Sequence, residues 1–126
     1  MKLLFDTNII IAFLKNDKEI VRKIKNYDIA ISAITAGELL YGIENSARKV
    51  ENLRNYNSFV SLCKIYPVDE DVAKVYSEIR YALKEKGMPV PENDIWIMAT
   101  AKHNGLIIVT RDEHILKHDL VESLQW

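Results

Sequence analysis

Leu3-Leu4-Phe5-Asp6-Thr7-Asn8 and Leu106-Ile107-Ile108-Val109-Thr110-Arg111-Asp112 are the stretches whose reading decides the fold. Each is a short apolar run that ends in polar residues, one at Asp6 and the other at Thr110-Arg111-Asp112. Runs of this kind, apolar at consecutive positions, predict strands buried on both faces. Working outward, Lys2–Phe5, Ile29–Ser32, Lys64–Val68 and Leu106–Thr110 read as strands, and Val121–Leu124 as a fifth. Helical periodicity fills the intervals at Asn8–Leu14, Lys18–Lys25, Thr35–Asn45, Ala47–Leu62, Asp71–Lys86 and Asp94–His103. The stripe Val72, Val75, Tyr76, Ile79 and Leu83 is the clearest, with Gly87 to stop it; Asn104-Gly105 closes the last helix. Strands alternating with helices predict a mostly parallel sheet of four to five strands, covered by helices on both faces and joined by right-handed crossovers. In such sheets ligands gather at the carboxyl ends of the strands.

Composition agrees with one α/β domain over residues 1–126. Apolar residues are 48% and charged residues 28% of the 126, which excludes a disordered or collagen-like chain. A chain of this length buries roughly two-thirds of its unfolded surface, enough for one core. No apolar run approaches a membrane span, and the opening residues lack a signal-peptide layout, so the expectation is a cytoplasmic protein with no membrane contact. The lone Cys63 has no disulfide partner, suits a reducing compartment and reads as filler on an apolar helix face. The net charge of −1 does not advertise a polyanion binder. Residues 1–66 nevertheless hold ten Lys/Arg against seven Asp/Glu, and Lys15, Lys18, Arg22, Lys23 and Lys25 cluster as either a solvated face or a set of phosphate contacts.

Four acids stand out, and three of them fall close to the sheet's carboxyl edge or at the helix starts beside it. Asp6 follows the first strand, Glu38 lies one turn into the helix after the second, Asp94 opens the helix before the fourth, and Asp112 stands two residues past that strand. Asp94 shares a face with Ile97, Met98 and Ala101, where a carboxylate is expensive without compensation. Each acid also has a local reading. Asp6 caps a helix, Asp94 is a first-turn acid, and Thr35-Ala36-Gly37-Glu38 and Thr110-Arg111-Asp112-Glu113 match capping boxes. Convergence would demand a counter-ion. Two carboxylates about 4 Å apart repel by roughly 1 kcal/mol in water and about 4 kcal/mol at an effective dielectric near 20. Hard oxygen ligands favour Mg2+ or Mn2+, and such ions serve phosphodiester hydrolysis. Crowding should also raise at least one carboxylate pKa, so that the metal-free fold loses stability as pH rises.

The motifs together carry a resemblance. Leu3–Ala12, Ser32–Gly42, Asn93–Ala101 and Val109–Asp112 resemble, in order, the four acidic blocks of PIN-domain ribonucleases of the VapC toxin group. The resemblance implies a three-layer α/β/α sandwich with the central parallel sheet. It implies an Mg2+- or Mn2+-dependent endoribonuclease, a homodimer, and inhibition by a cognate antitoxin. Asp6 and Asp94 would be the principal metal ligands, and Glu38 and Asp112 would complete the catalytic acids. Thr110 would orient Asp112 or a ligand water, and Asn8 would either reach the site or only cap the first helix. Lys15, with Lys18 and Arg22, is the candidate RNA phosphate contact. An antitoxin Arg is expected near Asp6 and Asp94, with an apolar helix over part of the Tyr41–Leu62 region.

Other residues read more plainly. His114 and His118, four apart, lack an adjoining Glu and are expected at the surface; Trp96 and Tyr41 are expected in the core or an interface. A phospho-acceptor signalling domain is a poor match, since paired acids after the first strand and an aspartate ending a central strand are absent. A catalytically idle binding module and an RNA-processing nuclease without an antitoxin are the competing readings.

Overall fold

The expected runs become five short strands in the computed structural model, which describes residues 2–126: β1 Leu3–Phe5, β2 Ala30–Ser32, β3 Lys64–Tyr66, β4 Ile107–Thr110 and β5 Ser123–Gln125. Seven helices lie between them: α1 Thr7–Leu14, α2 Lys18–Ile24, α3 Ala33–Glu44, α4 Lys49–Val60, α5 Glu70–Lys86, α6 Glu92–His103 and α7 Glu113–Leu116. Every ladder is parallel. β1 pairs β4 (Leu4 opposite Ile108), β4 pairs β5 (Val109 opposite Leu124), and β2 pairs β3 (Ile31 opposite Ile65). β1 also runs beside β2 without sharing a ladder, which places the strands in the order β3-β2-β1-β4-β5. From β1 the chain winds outward to β3 and then returns to β4 on the other side. That reversal opens a crevice at the carboxyl ends of β1 and β4.

Alternation of side chains along each strand divides the core. Leu3, Phe5, Ile31 and Val109 face Ile9, Ile10, Ile20, Ile24, Tyr56 and Phe59 from α1, α2 and α4. Leu4, Ala30 and Ile108 face Val72, Ile79 and Leu83 of α5, and Ile97 and Met98 of α6. The sheet is therefore the middle of three layers. Trp126 packs back, its ring 5.4 Å from Phe5 and 5.6 Å from Tyr27, with the Lys23 ammonium 5.8 Å from the same ring.

Several local expectations are corrected. β3 ends at Tyr66 rather than Val68, because Pro67 has no N–H to donate to a ladder. Ser32, not Thr35, caps α3: its hydroxyl accepts from the Thr35 N–H at 3.0 Å, so the helix starts at Ala33 and Glu38 is not part of a capping box. Asp112, not Thr110, caps α7 by accepting from the His114 N–H at 2.8 Å. His118 is buried, 6% exposed, rather than at the surface, and its Nε2 has no hydrogen-bond partner among the described residues. Of the core or interface expected for Tyr41, the core is overturned, since the residue is 69% exposed. Trp96 is half-buried and stacks on Tyr76 with 3.8 Å between ring centroids. Cys63 is partly buried and donates to the Phe59 carbonyl; burial pushes its thiol up to about 11, so it stays protonated and inert.

Candidate functional site

Asp6 occupies the first position after β1, where its backbone N–H extends the ladder to the Val109 carbonyl at 2.9 Å. It is also the N-cap of α1, and the side chain accepts from the Thr7 N–H at 2.8 Å. The Thr110 hydroxyl, at the end of the neighbouring β4, donates to its other oxygen at 2.6 Å. The residue is 3% exposed, so the carboxylate is held on a rigid corner with both oxygens engaged. The capping reading and the functional reading of Asp6 thus describe one geometry.

Thr110 links the two strands. While donating to Asp6 it accepts from the Asp112 N–H at 2.9 Å, and the Asn8 amide lies 3.4 Å from both Thr110 Oγ1 and Asp6 Oδ2. Asn8 Oδ1 accepts from the Arg111 N–H at 3.2 Å. Asn8 therefore reaches the crevice and is not the cap of α1. Glu38 arrives from α3, where Thr7 donates its hydroxyl to Oε1 at 2.7 Å. Asp94 arrives from the first turn of α6, which begins after Pro91. Lys15 is not brought to this place. It is the exposed C-cap of α1, at the end of that helix remote from Asp6.

The electrostatics follow from the crowding. Burial raises Asp94, assisted by a side-chain hydrogen bond with Asp112 and by the charges of Asp112, Asp6 and Glu38, so that its carboxyl is pushed up to about 7. Burial likewise raises Asp6, against the lowering effect of the Thr110 and Thr7 hydrogen bonds. Burial alone would raise Asp112 too. Hydrogen bonds from the His114 N–H, the Asp94 carboxyl and the His114 ring outweigh it, and Asp112 stays below the usual carboxylate range. Among the described residues, Asp6, Glu38 and Asp94 form no ion pair with any Lys, Arg or His.

This donor set fits a hard divalent cation. Ligand atoms of Asp94, Asp112 and His114 all lie within 4.8 Å of one another, with the buried Asp6 and the tethered Glu38 as the further charges acting on Asp94. His114 Nδ1 sits 2.9 Å from Asp112 Oδ1 and steers that carboxylate. Sequence reasoning missed His114 and Thr7. The Thr7–Glu38 pairing spans 31 positions and has no sequence signal, but His114 stands two residues from Asp112, where a side chain can fold back over the cap.

Comparison with known proteins gives a consistent picture. The PIN domain family matches residues 3–120. A tRNA(fMet)-specific endonuclease VapC of Shigella flexneri is 36% identical over 115 residues, covering 89% of this chain and 87% of the relative. Among solved structures, DNA-bound VapBC from Salmonella typhimurium superposes with a TM-score of 0.92 at 32% identity, over 100% of this chain and 98% of that one. VapBC2 from Rickettsia felis, bound to a promoter DNA fragment, also gives 0.92, at 26% identity over 100% and 99% of the two chains.

Proposed function

The chain belongs to the PIN-domain family and, within it, to the VapC ribonucleases; on that premise we propose that it is a divalent-metal-dependent endoribonuclease and the toxin of a toxin–antitoxin pair. The whole chain, 1–126, is read as one PIN domain working in the cytoplasm. The observation that carries the reading is the meeting of Asp6, Glu38, Asp94 and Asp112 at the crevice between β1 and β4, with no ion pair to a Lys or Arg among the described residues.

Asp6, Asp94, Glu38 and Asp112 would hold Mg2+ or Mn2+, which supplies positive charge at the attacked phosphate when bound. The protein's own part is positioning. Thr110 and the Thr7 N–H fix both oxygens of Asp6, the Thr7 hydroxyl fixes Glu38, and Asp112 is fixed by its cap bond and by His114. Asp94 is the group that must lose a proton for the site to reach full charge. Cation affinity should therefore rise with pH through about 7.

An acid-lined crevice also invites a guanidinium. The antitoxin is expected to place an Arg beside Asp6 and Asp94 and to lay an apolar helix across part of Tyr41–Leu62. Val50, Leu53 and Leu62 are exposed there, and a groove of about 420 Å3 beside Leu39, Ile43 and Tyr56 has room for apolar side chains. A homodimer is part of the same reading, with exposed Ile11 and Leu40 as candidate contacts. Cation titration tests the site. Mg2+ or Mn2+ should raise the thermal midpoint of the wild type and leave Asp6→Asn nearly unchanged; equal responses would sink the assignment of Asp6.

A further inference from the structure

A cleft of about 550 Å3 adjoins the acids and shares one of them, Glu38, together with its Thr7 tether. Thr7 and Glu38 form its inner wall, and Ile34, Gly37 and Tyr41 of α3 continue outward from Glu38. Asn93, the neighbour of Asp94, closes the cleft from α6. Ile34, Gly37, Glu38 and Tyr41 fall at i, i+3, i+4 and i+7 and so share one helical face. Tyr41 leaves 69% of its surface to solvent, and neither its hydroxyl nor the Asn93 amide has a hydrogen-bond partner among the described residues. A Cβ added to Gly37 would meet nothing within 4 Å, so the glycine leaves that wall low without any backbone need for it.

We propose that this cleft is a nucleobase subsite, in which Tyr41 stacks on an unpaired base next to the phosphodiester at the acids and Asn93 hydrogen-bonds the edge of that base. The proposal rests on the endoribonuclease reading. A base offers an apolar face and a donor–acceptor edge, the two chemistries that Tyr41 and the Asn93 carboxamide present. Continuity with Thr7 and Glu38 sets the occupant: a chain whose phosphate lies at the acids must send a neighbouring base along one of the adjoining walls. The base has to be unstacked to enter, which selects single-stranded loops.

The test is titration of the full chain, in Ca2+, with short single-stranded RNAs carrying 2-aminopurine at successive positions. Wild type and Tyr41→Phe should change the fluorescence at one position. Tyr41→Ala should lose that signal and bind about 5- to 150-fold more weakly, the usual range for one aromatic–base stack. Gly37→Leu, which fills the cleft and favours the helix, should lose it as well. Position-specific fluorescence that survives in Tyr41→Ala overturns the subsite, as does a Tyr41→Ala defect confined to holding an apolar helical peptide. Wild type that cleaves RNA in Mg2+ yet gives no position-specific signal overturns the subsite alone and leaves the nuclease standing. Wild type that neither binds nor cleaves RNA overturns both.

Discussion

Asp94 is where the chemistry of the site turns on a single proton. Its carboxyl is raised by burial and by Asp112 to about 7, whereas the unfolded chain titrates near an ordinary carboxylate value, roughly 3.9. A raised folded pKa means stability that is complete below the unfolded value and lost as pH climbs through the folded one. Asp6 is raised and adds with the same sign. Asp112 is lowered, so its contribution is lost only on acidification, below the unfolded range. In EDTA the thermal midpoint should therefore fall between pH 5 and pH 8, Mg2+ should reverse the fall, and Asp94→Asn should flatten it. A wild-type midpoint indifferent to both pH and Mg2+ would contradict the cluster. Thr110→Val keeps the shape of the side chain but removes the donor to Asp6 and the acceptor for the Asp112 N–H. Metal affinity or cleavage should drop about 10- to 100-fold, as for other groups that orient metal ligands, with the fold retained. An unchanged cation titration would show that Asp6 needs no such support. At this scale the acids were legible because each lies in or beside an apolar segment, which Asp6 and Asp112 follow and Asp94 precedes. Their hydroxyl tethers were not, since Thr7–Glu38 and Thr110–Asp6 are made only when distant elements meet.

Helix starts bring the acids to their places, and two of them were misread in the sequence. Thr35 and Glu38 have capping-box spacing, but Ser32, the last residue of β2, already accepts the Thr35 N–H. The buried Thr35 is left with its hydroxyl 3.0 Å from that of Thr7, inside the network that holds Glu38. Ser32→Ala should cost about 1 kcal/mol of stability, the usual worth of an N-cap, read as a lower denaturant midpoint with an unchanged slope. A neutral result would mean that another group caps α3. Apolar patterning located every strand and the six longer helices to within a few residues. Boundaries shifted where a polar contact or a proline decided them, as at Pro67 and Pro91. His118 was misplaced for a related reason: the helix before it ends at Leu116, so its spacing from His114 is not helical throughout, and the ring turns inward.

The molecule as a whole separates its charge. The sheet's switch point carries the acids, and Lys18, Arg22 and Lys25 stand exposed on or beside α2. RNA held by those cations as well as at the metal site should bind more weakly as salt rises, and Arg22→Ala should lessen the salt slope; an unchanged slope would leave α2 a solvated face. The parallel order of strands was legible from the alternation of runs and helices, and so was the edge where function gathers. The cleft along α3 was not, because an exposed Tyr41 and a buried one look alike in a helical stripe. Phosphodiester cleavage by the acid cluster is the central claim. The direct measurement is digestion of a mixed small-RNA pool by wild type and Asp94→Asn, purified side by side, in Mg2+ or Mn2+ and again in EDTA. The wild type should give discrete fragments with metal and none in EDTA, and Asp94→Asn none under either condition; equal cleavage by the two proteins would contradict cleavage by the acid cluster.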